Sequence, residues 1–192
     1  MPSIANSRAR MRWVLHGPLV TAAAVILSLC AADSARAGGE FHKVLGQVTF
    51  TLADAVRVVQ QAYDGYAIEA ELEAEHGMYY YRVELVDAGG RTDVFVNPAN
   101  GLVIGVEREE GIAVRLRSRW ERELSAAQSA KLTLLDAIST AGEASHGHVI
   151  AADFRTYRNP PSYFIRIISG DTEHEVSLAP ETGAVLAHDI GG

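Results

Sequence analysis

Two stretches hold residue types and spacings that could do chemistry. Glu69, Glu71, Glu73 and Glu75 stand at alternate positions, and His146-Gly147-His148 brackets a glycine. On a strand, side chains two apart share a face at about 6 to 7 Å. The glutamate row could therefore hold a hard cation such as calcium, or a basic partner. Calcium sites, however, draw on loop Gly, Asn and backbone carbonyls that a flat strand lacks. The plainer reading is the solvated face of an amphipathic strand. His146 and His148 could give two ligands to zinc or copper, and His174 and His188 follow later, but the spacing names no third ligand. Glu69, Glu71, Glu73, His146 and His148 are thus the metal candidates of an alternative reading, a ligand- or metal-responsive sensor.

Catalysis finds less support. Ser139, Ser145 and Ser162 lack a Gly-x-Ser-x-Gly setting, and there is no Gly-rich phosphate loop. No catalytic residue, enzyme activity or cofactor is expected. Tyr80, Phe95, Phe164 and Ile168 fall on the outer faces of strands beside charged groups. Aromatic rings on a polar face suggest a contact surface, for a partner or between parts of the chain. Tyr80, Arg82, Phe95, Phe164 and Arg166 are the candidate partner-binding residues.

The elements that carry these residues occur twice. Asp93 to Ile104 contains Pro98 and Gly101, and Glu175 to Leu186 contains Pro180 and Gly183, at an offset of 82 residues. The offset also aligns Thr51-Leu52-Ala53-Asp54-Ala55-Val56 with Thr133-Leu134-Leu135-Asp136-Ala137-Ile138, Gly65 with Gly147, and Tyr81, Val83 and Leu85 with Tyr163, Ile165 and Ile167. One register held through four matches predicts two copies of one unit.

Within a unit, Thr51 (Thr133) reads as a helix N-cap with Asp54 (Asp136) completing a capping box. Leu52, Ala55, Val56, Val59 and Ala62 form an apolar stripe, and Gly65 (Gly147) ends the helix. Ile68, Ala70, Leu72 and Ala74 then alternate with the glutamates as a half-buried strand. Gly77 turns the chain into a strand with Tyr79, Tyr81, Val83 and Leu85 inside and Tyr80, Arg82 and Glu84 outside. Gly89-Gly90 turns it again, and Pro98 with Gly101 makes the last hairpin. The fold class is α+β: two tandem units, each one helix packed on an antiparallel β-sheet.

The remaining segments suggest compartment and boundaries. Arg8, Arg10 and Arg12 precede an apolar run, and Ala35-Arg36-Ala37 fits a cleavage site, the layout of a secretory signal peptide over 1–37. An uncleaved anchor of about 20 residues is the alternative. Cys30 is the only cysteine and lies in this segment, so the mature chain would have no thiol or disulfide. Unit 1 spans 38–107 and unit 2 spans 131–192. Between them, 108–130 is a charged linker that becomes helical near Ser118, with Trp120 packed on one of the units. A net charge of −7 argues against a nucleic-acid partner.

The Thr-Leu-x-Asp-Ala helix start, the Gly, the alternating strands and the Asn-Pro-x-x-Gly or Pro-x-Thr-Gly turn together resemble the PepSY domain. The resemblance covers roughly Phe50 to Glu107 and Leu132 to Asp189. It implies an exported, non-catalytic interaction module, periplasmic or secreted, that inhibits or regulates a peptidase or serves extracytoplasmic signalling. The implied partner is a protein, such as a peptidase or a sensor ectodomain, with no stable membrane insertion after cleavage. The chain ends at Gly192 just after the second copy, so a propeptide role in cis is not expected.

Overall fold

The computed structural model describes residues 45, 46, 48–75, 77–110 and 114–191. The expected signal segment 1–37, with the expected cleavage site, lies outside these residues. Among the described residues three helices, α1 (Leu52–Ala62), α2 (Val114–Ser129) and α3 (Leu134–Ser145), accompany eight strands. The strands are β1 (Tyr66–Glu75), β2 (Met78–Asp87), β3 (Gly90–Val96), β4 (Val103–Glu110), β5 (His148–Arg155), β6 (Ser162–Ser169), β7 (Thr172–Leu178) and β8 (Val185–Gly191). All pair antiparallel in one sheet of order β4-β3-β2-β1-β5-β6-β7-β8.

Local chemistry starts the helices as expected. Thr51 Oγ1 accepts from the Asp54 N–H at 3.2 Å, and the Asp54 carboxylate accepts from the Thr51 N–H at 3.2 Å. Thr133 and Asp136 repeat the box at 3.1 and 3.0 Å. The helix ends differ from expectation. Helix α1 stops at Tyr63 in an extended conformation, and α3 is capped by His146 in the left-handed region. Gly65 and Gly147 serve the approach of the sheet instead. A Cβ on Gly65 would lie 3.1 Å from the Val86 carbonyl oxygen, and one on Gly147 would lie 2.7 Å from the Ile168 carbonyl oxygen.

The 82-residue offset persists in the hydrogen bonding. Tyr81 donates to the Phe50 carbonyl at 2.8 Å, and Tyr163 donates to the Leu132 carbonyl at 2.5 Å. Irregularities in the ladders at Ala67/Glu69 and Phe95/Val96 recur at Val149/Ala151 and Ser177/Leu178. Ala70 pairs with Ala152, its own counterpart, across the β1–β5 seam. A local two-fold axis therefore passes through that pair.

The core is shared. Helices α1 and α3 lie together on one face, and each touches strands from both sides of the seam. Leu52, Val56, Tyr81, Val83, Ile138, Ile150, Tyr163 and Ile165 are buried in one continuous cluster. Each such aliphatic side chain removed from water contributes about 1.5 to 3 kcal/mol. Ala74, expected inside, is exposed, because it pairs with half-buried Tyr79 next to the turn of the β1–β2 hairpin, where the strands run out beyond the buried pair Leu72 and Tyr81. Ala62 likewise ends the helix stripe in solvent.

The linker region differs from a solvated connector. Residues 108–110 complete β4, and α2 starts at Val114 rather than near Ser118. The helix packs against β1, β2 and β3 on the face away from α1 and α3. Trp120 is buried there over Gly90, with half-buried Leu124 beside it.

Candidate functional site

The outer face of the sheet collects nearly every charged candidate. Alternation along β1 places Glu69, Glu71 and Glu73 on it. The β1–β2 register then sets Glu69 opposite Glu84, Glu71 opposite Arg82 and Glu73 opposite Tyr80. Arg82 is the hub. Its guanidinium bonds Glu69 and Glu73 and lies 3.3 Å from Asp93 and 3.5 Å from Glu84. Glu71 is held instead from across the seam by Arg166, which also reaches Glu173 at 3.7 Å. An expected solvated row is thus a lattice in which Glu69, Glu71 and Glu73 each pair with an arginine.

Toward α2 the same lattice runs under cover. Arg91 makes a forked bond to Glu123 of α2, at 2.6 and 3.1 Å, and sits 2.6 Å from Glu84 Oε1. Arg119 binds Glu123 at 2.9 Å. Glu84 and Glu123 are both buried. The Glu84 Oε1 contact lacks hydrogen-bond alignment, so it supplies charge attraction without a directed donor. Burial pushes the Glu84 carboxyl up to about 7, against the pull of Arg91 and with repulsion from Glu69 and Asp93 added. Arg91 is divided between two carboxylates and Arg82 among several, so neither offsets the desolvation of Glu84.

At the β1–β5 seam, around Ala70, Ala151 and Ala152, lies a cleft of about 180 Å³. Glu69, Glu71, Asp153, Arg155, Phe164 and Arg166 wall it. Burial raises the Glu71 and Asp153 carboxyls above their ordinary values, opposed by Arg166 and Arg155 respectively.

The aromatic candidates lie on this face. Tyr80 meets Phe95 edge-on at 5.5 Å between centroids. Its hydroxyl donates to Glu73 at 3.0 Å, and burial with the Glu73 and Glu75 carboxylates pushes it up to about 12. The Arg155 guanidinium stacks 3.4 Å over the Phe164 ring. Ile168 shares the face but is buried, so it adds no exposed surface. The structure therefore brings Tyr80, Arg82 and Phe95 together on one side of the seam and Phe164 with Arg166 on the other.

The histidine candidates behave otherwise. His146 is the α3 cap and His148 opens β5. Among the described residues no group of three or more His, Cys, Asp or Glu is arranged to hold a metal ion. The sequence reading missed Glu84, Arg91 and Glu123 as members of the charged lattice. The helical spacing of Trp120, Glu123 and Leu124 was the available signal, since positions three and four apart share one helix face.

Residues 50–107 match the PepSY family, described as the peptidase propeptide and YPEB domain, and so form a PepSY domain. The matched span has the bounds expected for the first copy. Among solved structures, a candidate lipoprotein from Clostridium difficile 630 is 19% identical, with a TM-score of 0.46 over 75% of this chain and 95% of that chain. The comparison with curated proteins gives no match. No helix among the described residues is long and apolar enough to cross a membrane.

Proposed function

We propose that this protein is an exported, non-catalytic regulatory module that binds a protein partner through the outer face of its sheet. The PepSY domain supports a regulatory role of the peptidase-propeptide kind. On this reading residues 131–192 are a second PepSY-like unit, 38–107 the first, and 108–130 the connector, whose helix α2 docks back onto the first unit's outer face. The signal-peptide pattern in 1–37 supports a periplasmic or secreted location.

One observation carries the choice of surface. The outer face between α2 and the free edge combines half-buried Tyr80, Phe95 and Phe164 with a charge lattice in which carboxylates outnumber guanidiniums. Aromatic anchors within a polar rim are the usual makeup of a protein-binding patch. The surplus of carboxylates fits a partner surface that presents Lys or Arg. A peptidase or the ectodomain of a sensor is the expected partner class.

The test is a pull-down from periplasmic extract with the purified protein as bait. One protein should be recovered, and Phe95→Ala or Phe164→Ala should lose it while Ile190→Lys on the far edge strand keeps it. Capture that survives both face variants, or that fails only with the edge variant, refutes this surface.

A further inference from the structure

We propose a transition-metal site at the edge of the sheet, formed by His174 of β7 and His188 of β8. The register pairs His174 with Ile190 and His188 with Val176. The two histidines are therefore diagonal neighbours on one face of an antiparallel ladder, close enough for side chains to meet. They do meet: His174 Nδ1 and His188 Nε2 lie 3.2 Å apart, with ring centroids at 5.4 Å.

That separation is the spacing of two nitrogens on one metal. Bonds of about 2.0 to 2.1 Å place them about 2.9 Å apart at a square-planar angle and about 3.4 Å apart at a tetrahedral one. Without metal, a single proton between the nitrogens accounts for the contact. With both nitrogens unprotonated, two lone pairs face one space and a cation resolves the conflict. Imidazole donors favour copper, nickel and zinc, and copper(II) binds most tightly in that order. Calcium and magnesium, which seek oxygen, are the wrong class.

Three further features agree. His188 is exposed, and every residue of β8 is open to solvent, so a metal has an entry path and room for other ligands. No third His, Cys, Asp or Glu joins the pair among the described residues, so the remaining positions fall to water or an incoming donor. At the 82-residue offset, Thr92 and Val106 occupy the matching positions of the first half, where neither is a ligand. Histidine thus fills both positions of the diagonal pair in the second half and neither in the first.

The probe is copper(II), added as its glycine complex to the purified protein at pH 7.5 and read by calorimetry and electron paramagnetic resonance. The expected result is one site in each chain with two imidazole nitrogens in the spectrum. His174→Gln and His188→Gln should each weaken binding by about tenfold or more, and the double variant should lose little beyond either, because a chelate fails when either arm is removed. The pair His146→Gln/His148→Gln should bind as the parent does. Copper bound equally by the double variant at 174 and 188 overturns the proposal. So does loss of the site in the 146/148 variant, or a parent spectrum with fewer than two nitrogens. Acidification should release the metal as protons reclaim the imidazoles.

Discussion

Replacing Glu84 with Gln should alter the pH dependence of stability in a direction opposite to that of most carboxylates. The Glu84 carboxyl lies beneath α2, facing Arg91, Arg82, Glu69 and Asp93, with Glu123 bound to the same Arg91. Burial lifts it from 4.5 to about 7. A carboxyl raised on folding binds more protons in the folded state than in the unfolded one across that interval. Its contribution to stability is therefore complete below about pH 4.5 and is lost as pH rises through about 7. At about 1.4 kcal/mol per pH unit, the interval between 4.5 and about 7 amounts to roughly 3 kcal/mol. Gln keeps the shape and does not titrate. Urea unfolding of the parent and Glu84→Gln, measured from pH 4.5 to 7.5, isolates the effect, because other titrating groups are common to both chains. The parent's stability relative to the variant should fall by about 3 kcal/mol across the range. A difference that stays flat, or that rises with pH, would refute the reasoning and show that the Arg91 pair keeps Glu84 ionised.

Trp120→Ala should cost about 3 kcal/mol, since the ring is buried between α2 and β3. Hydrogen exchange should then rise in α2 and along the Arg91–Glu123 contact while α1 and α3 stay protected; equal loosening everywhere would contradict a helix docked apart from the main core. Tyr81→Phe and Tyr163→Phe remove matching hydroxyl bonds to the Phe50 and Leu132 carbonyls. Each should cost about 1 kcal/mol in chemical denaturation, and a large difference between the two would argue against equivalent roles at the 82-residue offset.

Much of this was legible in the chain itself, because it depends on local rules. Strict alternation from Ile68 to Glu73 decides which side chains face the core, since a strand has a period of two residues. Thr51 with Asp54, and Thr133 with Asp136, start helices by bonding groups only three positions apart. The recurrence at 82 residues implies a second helix and four more strands. The PepSY resemblance over Phe50 to Glu107 rested on the same local motifs.

What only the tertiary structure decided concerns contacts between segments far apart in sequence. Nothing local says that β1 pairs with β5, yet that seam merges two strand sets into one sheet and lets Arg166 reach Glu71. Alternation placed Glu69, Glu71 and Glu73 outside, but it could not say that Arg82 and Arg166 neutralise them or that α2 folds over Glu84. The pairing of His174 with His188 depends likewise on the register between β7 and β8. A one-residue slip there would send one ring to the opposite face. Charge and metal chemistry fall off within a few ångströms, so the site was decided by which strands become neighbours, and only the long-range packing of the sheet settles that.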